Sequence, residues 1–429
     1  MLNFNILFIN TINKINSKFI YSLTSSSLNQ IVSSGSNFAL NLYLIRELTL
    51  EDFGLYGVCS AISFLFIGFG NALFITQMVV HLPDKESLYK KIYSANILIL
   101  IIIFCSIFLL CNLLFILGAG SWISLNHKIL IAATMVLSLS SLIKFFYIRL
   151  SYSIIQEYKA LIINCTWTIS LILIILLNQI MIKKLNIEII LFELAFSNFL
   201  SILVGLLIIK LPFNELKWWR IKNDLSEVLQ GGRWALGGVT VTWIQNQAYM
   251  YVTTFLVGTT GVAIVNTARI VISPFTFFLP ALTELLLPRL ALLRNLNSKS
   301  AIRKGEIYTI IIAFCSIAYL FLIWILGPDL LSLMIGNKYP IELIWPMTLA
   351  WGFSLIFQLA RDGASTLLQV LKNFKYLMLA NFLTSIFVVI ATIFLSIYYG
   401  ISGAVMGLGI GDAILAFVLW RKLYKVKNA

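Results

Sequence analysis

This sequence predicts an all-α polytopic membrane protein of twelve transmembrane helices, arranged as two six-helix bundles. Three observations carry that expectation. Hydrophobic residues make up 60% of the chain and charged residues only 11%, where a soluble domain has about 25% charged. Apolar stretches long enough to cross a bilayer recur along the whole length. Lysine and arginine crowd into alternate connections between those stretches, which is the asymmetry that orients membrane helices.

A membrane helix needs ~20 mostly apolar residues. Twelve stretches meet that requirement: 24–46, 53–80, 92–117, 128–150, 158–181, 188–209, 232–257, 261–287, 306–327, 342–368, 374–397 and 401–422. Short turns separate them, such as "GTTG" at 258–261 and "YYGISG" at 398–403, where glycine and polar residues punctuate the apolar runs. Residues 1–23 read as an amphipathic cytoplasmic lead-in. They carry Lys14 and Lys18 without a small-residue cleavage pattern, so a removed signal peptide is not expected. The expected division is an N-terminal bundle over 24–209, a cytoplasmic linker over 210–231, a C-terminal bundle over 232–422 and a basic tail over 423–429.

The net charge is +14, and its placement matters more than its size. With the N-terminus inside, 25 of the 31 lysines and arginines lie in the inner segments, five lie outside, and Arg269 lies within a span. That split puts both termini in the cytoplasm and turns the basic surface toward anionic headgroups. Nucleic acid is excluded as the reason for the charge. The five cysteines all fall within apolar runs with no CxxC spacing, so they read as small buried hydrophobes and not as metal ligands or disulfide partners. His81 and His127 are the only histidines; with no other ligand clustered beside them they make no metal site.

The two halves echo one another. "IIIFCSI" at 101–107 resembles "IIAFCSI" at 311–317, an offset of 210; "QEYKA" at 156–160 resembles "KNFKY" at 372–376, an offset of 216; "FGLYGV" at 53–58 resembles "VAIVNT" at 262–267 at 209. Six spans per half means that both halves enter from the same side. This is a parallel repeat with a pseudo-two-fold along the membrane normal, and transporters built this way hold substrate between halves and alternate access.

Polar residues inside spans are costly in lipid and mark cavities or helix contacts. In the first span Ser26, Gln30, Ser33, Asn37 and Asn41 recur at helical spacing. In the seventh the stripe is Thr242, Gln245, Asn246, Tyr249 and Thr253; in the eighth it is Asn266, Arg269, Ser273, Thr276, Pro280 and Thr283. A weaker stripe in the second holds Tyr56, Ser60, Ser63 and Asn71. Helix–helix adhesion would explain a lone pair of such residues. Full stripes on the equivalent first and seventh spans point to a hydrated cavity.

Arg269 lies eight residues into its span, or ~12 Å at 1.5 Å per residue. That is too deep for easy snorkelling, so it is expected to face water and bind an anion, with forked donors suited to phosphate. The competing expectation is a buried pair with Glu193 or Asp412. Arg361 and Asp362 read as snorkelling or locally paired. Lys144 and Arg149 read as a patch at the cytoplasmic mouth, where substrate would enter. Arg46, Glu47, Glu51 and Asp52 form an outer rim. Pro274 and Pro280 suggest a kink, and Gly403, Gly407 and Gly411 suggest close helix packing.

Four stretches carry a family resemblance across the chain: "RELTLEDFGLYGVCSAISFL", "FLVGTTGVAIVNTARIV", "ALTELLLPRLA" and "GISGAVMGLGIGDAIL". In this order they resemble the Wzx-type oligosaccharide flippases of the MOP superfamily, which have a V-shaped MATE-like fold. The resemblance implies a non-enzymatic protein of the bacterial inner membrane. It would move undecaprenyl-pyrophosphate-linked oligosaccharide to the outer leaflet for O-antigen or capsule synthesis. It implies a cationic cavity, which suits Arg269, although relatives carry further arginines in the first two spans and this first span has none before Arg46. Expected partners are the lipid-linked glycan, membrane lipids, and the polymerase and chain-length regulator of the pathway, with the protein itself a monomer. No cofactor is expected; a proton or sodium gradient is the energy source it could couple to. Two other functions compete: a MATE-type antiporter, which wants a deep carboxylate, and a membrane polymerase or glycosyltransferase, which wants a large outer loop or an acidic pair.

The charge asymmetry makes a direct prediction. In a cysteine-free background, Asn186→Cys should react with a membrane-impermeant maleimide in intact cells, and Glu215→Cys should react only after lysis.

Overall fold

The computed structural model describes residues 2–82, 85–118, 122, 124–181, 186–296, 298–335, 341–371 and 373–428. All regular structure among them is helical. In chain order the helices are α1 (Leu2–Glu47), α2 (Leu50–His81), α3 (Ser87–Gly118), α4 (Leu125–Ser153), α5 (Glu157–Met181), α6 (Ile187–Ile208), α7 (Trp218–Val257), α8 (Thr259–Leu296), α9 (Ser298–Ile335) and α10 (Ile341–Val370). The last helical run, Phe374–Asn428, breaks at Gly400 into α11 (374–399) and α12 (401–428). Each of the twelve expected spans lies inside one of these helices to within one residue.

Helix is the form in which a single segment satisfies its own backbone polar groups in hydrocarbon. The breaks inside the long helical runs fall at glycines, which can take backbone conformations closed to other residues. Gly400 has φ 62° and ψ −140°, a conformation open in practice to glycine alone. Gly327, with φ 57° and ψ −154°, does the same inside α9, just before Pro328. Among the described residues eight helical stretches are long and apolar enough to cross a membrane, and the longest, Lys375–Lys427, carries two spans. α1, α7 and α8 are outside that set; each bears a polar stripe.

The chain forms two compact units. Unit 1 comprises residues 1–36 and 62–236; unit 2 comprises 37–61 and 237–429. Within unit 1, α4 packs on α3, α5 and α6. Its core gathers Phe66, Phe74, Met78, Tyr93, Ile97, Ile101, Phe146 and Tyr147. The start of α7 belongs to the same core through Ile221 and Val228. Asp224, between them, is buried and accepts hydrogen bonds from Asn96 Nδ2 at 2.6 Å and from the Tyr89 hydroxyl at 3.0 Å. Burial raises the Asp224 pKa above the ordinary carboxylate value, and these two donors work against that rise. Glu227, one turn on, pairs with Lys85 at 2.6 Å and lies 3.3 Å from His81 Nδ1.

Within unit 2, α10 packs on α8, α9 and the α11–α12 pair. The end of α1 and the start of α2 belong here. Arg46 donates to the carbonyls of Leu333 at 2.7 Å and Met334 at 3.2 Å, in the last turn of α9, where helix carbonyls lack intrahelical donors. The backbone of α8 is helical through Pro274 and Pro280; their side chains, and those of Thr242 and Thr283, lie outside the described residues. The glycine ladder of α12 does what its spacing suggested. A Cβ on Gly403 would meet the backbone of Leu395, one on Gly407 would stand 2.6 Å from Thr392 Cα, and one on Gly411 would meet Val388.

The cysteine expectation needs correction. Cys59 and Cys105 are buried, but Cys165 is half-buried and Cys111 and Cys315 are exposed. The last two lie on faces of α3 and α9 beside exposed Leu110, Leu114 and Phe314. These are surfaces where an apolar thiol suits lipid as well as it suits a core.

At Gly407 the obstruction is backbone, which cannot swing aside. Gly407→Ala should therefore lower stability by about 1–3 kcal/mol, read as a fall in Tm of the detergent-purified protein.

Candidate functional site

A polar face of unit 2 that carries a charge lies on α8. Asn266, Arg269, Ser273 and Thr276 fall at intervals of three and four and so share a face. Arg269 is exposed and the other three are half-buried. The guanidinium is held by two neighbours. Its Nη1 donates to the Tyr249 hydroxyl at 3.1 Å, and its Cζ lies 5.2 Å from the ring centre of Trp351, within cation–π range. Tyr249 is fully buried, and its hydroxyl passes a hydrogen bond on to Asn266 Oδ1 at 3.4 Å. The Tyr249 and Trp351 rings meet edge to face, 5.1 Å apart at 87°. Trp351 is fixed in turn by Nε1, which donates to the Val265 carbonyl at 3.1 Å.

No carboxylate pairs with Arg269 among the described residues. Both candidates are engaged elsewhere. Glu193 accepts from Asn178. Asp412, 1% exposed, accepts from Arg361 Nη1 at 2.6 Å. The snorkelling alternative for Arg361 is overturned. Arg361 is buried, and besides its local bond to Asp362 at 3.0 Å it reaches Asp412 on α12 and Asn246 Oδ1 on α7, the latter at 3.3 Å. An arginine in the interior of a membrane bundle with a carboxylate at hand takes the carboxylate, because the alternative is an unpaired charge.

The remaining expected residues divide. On α7, Gln245, Tyr249 and Thr253 are buried and Asn246 is half-buried, so most of that stripe lies inside unit 2. Gln245 is enclosed, with neither amide atom hydrogen-bonded among the described residues. Ser273 and Thr276 bond back to the Ile270 and Ser273 carbonyls at 2.7 and 2.9 Å, which leaves their hydroxyl oxygens still able to accept. Asn41 bonds back to the Asn37 carbonyl at 2.7 Å; both side chains are half-buried, as are Ser26, Gln30 and Ser33 on the same stripe. Gln30 donates to Ser34 at 2.9 Å.

α1 bears a second polar face one residue out of step with the expected stripe. In unit 1, buried Asn29 donates to the Tyr152 hydroxyl and accepts from Asn164, both at 2.8 Å, and Ser36 meets Thr168 at 2.8 Å. This face is helix–helix adhesion. Lys144 stands over the Trp167 ring at 4.1 Å and Arg149 over Phe145 at 5.0 Å. Sequence reading passed over Trp351, Trp167 and Asn29. An indole inside an apolar run looks like core, and nothing in local spacing says which cation will rest on it.

No family model matches the sequence, and no curated protein matches it. Solved structures do match its fold. The lipid II flippase MurJ, in an inward closed conformation, superimposes with a TM-score of 0.69 at 17% identity, over 94% of this chain and 87% of that one. The Vibrio cholerae MATE transporter VcmN, in a point-mutant form, gives 0.67 at 15% identity, over 96% and 98%. A MOP-superfamily transporter from Pyrococcus furiosus, whose reversed binding-pocket polarity suggests a different function, gives 0.65 at 13% identity, over 95% and 96%.

The chain has the fold that MurJ and these MATE and MOP-superfamily transporters share. It is shared with flippases and with multidrug transporters, and at these identities it speaks for architecture alone. Within this fold, α8 and α10 meet at an arginine seated on tryptophan, and α10 and α12 meet at a buried ion pair.

The ion pair should be structural. Asp412→Ala leaves Arg361 buried with only part of its partners, and a loss of roughly 3 kcal/mol is expected, measurable as a depressed Tm. Asp362→Ala, at a half-buried position, should cost clearly less.

Proposed function

We propose that this protein flips undecaprenyl-pyrophosphate-linked oligosaccharide repeat units from the cytoplasmic to the outer leaflet of a bacterial inner membrane. It would do so by alternating access, in the service of O-antigen or capsule synthesis. The observation that carries this reading is Arg269, an exposed guanidinium deep in a membrane helix, with no carboxylate partner among the described residues and with an aromatic seat that fixes its direction. Such a group in lipid would cost several kcal/mol. In a water-filled slot it offers forked donors to a diphosphate, and neutral Asn266, Ser273 and Thr276 along the same face suit sugar hydroxyls. The likeness to a lipid II flippase is consistent with a lipid-linked glycan as substrate.

The MATE-type antiporter has the same fold behind it. It asks for a deep carboxylate free to exchange protons or sodium; among the described residues of unit 2 the deeply buried carboxylate Asp412 is held by Arg361 at 2.6 Å. A net positive wall with its carboxylate already engaged favours an anionic substrate. Genetic linkage to glycosyltransferases would support the flippase reading, and a polymerase and chain-length regulator would then be its working partners.

Arg269→Ala should stop export of the lipid-linked glycan, with the protein still inserted at wild-type level, and Arg269→Lys should recover part of it. The readout is the amount of glycan reaching the outer leaflet, scored by periplasmic processing. Normal export by Arg269→Ala at equal expression would refute anion docking at this residue.

A further inference from the structure

We propose that unit 1 carries a binding groove for an anionic phospholipid of the cytoplasmic leaflet, on the face where the start of α7 lies against α2 and α3. The groove has a volume of about 270 Å³. Phe74 of α2 lines it, with Leu100, Ile103, Phe104 and Ile107 of α3 and Trp218, Ile221, Lys222 and Leu225 of α7. The α7 residues recur at i, i+3, i+4 and i+7, so one face of that helix forms a whole wall. The α3 residues Leu100, Ile103, Phe104 and Ile107 repeat the same spacing and form the wall opposite. Two helices present matched apolar faces yet leave a groove between them. Stacked rings at its back, Phe66 on Phe104 at 5.1 Å with Phe74 tilted against Phe104 at 5.6 Å, keep the walls rigid.

The occupant's headgroup is set by charge. Every lining residue is apolar except Lys222, which is exposed and makes no ion pair among the described residues. Its methylene stem can line the wall while its ammonium reaches the headgroup level. Lys217 and Arg220 flank it. Of the three carboxylates of this segment, Asp224 is engaged with Asn96 and Tyr89 and Glu227 with Lys85; Glu215 is exposed in the turn before α7, and against it stand Lys217, Arg220 and Lys222, so positive charge predominates where α7 begins. α7 begins at Trp218, which adds the positive end of the helix dipole at the same place. Trp218 and Trp219 are 71% and 58% exposed; adjacent exposed indoles beside lysines are the composition of a membrane–water interface. The loops at this end are the basic ones, which places the groove in the leaflet where anionic lipids are concentrated.

Function follows from position. α7 begins in unit 1 and ends in unit 2. A lipid that glues its first turns to α2 and α3 would therefore stabilise the docking of a helix that leads from the core of unit 1 into the second half of the chain. This idea does not depend on what the protein carries, and its test involves no transport.

The full-length protein, purified in detergent, is titrated with phosphatidylglycerol or phosphatidylcholine and its Tm is followed. Phosphatidylglycerol should raise Tm by several degrees and phosphatidylcholine by much less. Lys217→Gln with Lys222→Gln should remove at least half of the phosphatidylglycerol shift. Equal shifts from both lipids, or an unaltered shift in the double variant, would overturn the proposal. Quenching of tryptophan fluorescence by brominated phosphatidylglycerol provides an independent reading if a variant proves unstable. The quenched component should fall in Trp218→Phe, and no fall overturns the placement. Displacement of phosphatidylglycerol by an equal concentration of undecaprenyl phosphate would assign the groove to the carrier's tail instead, and would also overturn it.

Discussion

A polar group inside hydrocarbon must find its partner within the protein, and most of what distinguishes this molecule follows from that requirement. It makes all regular structure among the described residues helical, because each helical segment bonds to itself. It confines breaks within the long helical runs to Gly327 and Gly400, where φ is positive. It draws Arg361 across the bundle to Asp412 and Asn246, fastening α10 to α12 and α7. It also turns hydroxyls such as those of Ser273, Thr276 and Thr384 back onto their own helix carbonyls.

Against that background two arginines of unit 2, Arg361 and Arg269, are opposites. Arg361 is neutralised and enclosed; Arg269 is exposed and leans on Tyr249 and Trp351. An aromatic seat attracts a cation without cancelling its charge. The guanidinium keeps its direction and most of its donors, which is the electrostatic state needed to receive an anion. The polar seam of unit 1, from Asn29 to Tyr152 and Asn164, serves the opposite purpose. Its amides saturate one another and hold helices together.

The start of α7 shows how a segment that looks like a linker becomes structure. Between Lys210 and Gly231 the chain is too polar to read as a span, yet Ile221, Asp224 and Val228 point one helical face into unit 1. A buried carboxylate in a basic segment is what makes the docking specific. With no acceptor at position 224, the Asn96 and Tyr89 donors would be left unpaired.

Hydropathy alone was enough to place the helices, because length and apolar content are local properties that lipid enforces without regard to neighbours. The spacing of Gly403, Gly407 and Gly411 likewise told of close packing, since only a missing Cβ admits backbone at contact distance. The shared face of Asn266, Arg269, Ser273 and Thr276 was also legible, because helical spacing is a local property. What the sequence could not decide was pairing. Asp412 was equally available to Arg269 and Arg361, the α7 stripe could face inward or outward, and Trp351 could be core or seat. Those choices are made between helices distant in sequence, by which side chains come within hydrogen-bonding reach of one another, and only the packed bundle brings them there.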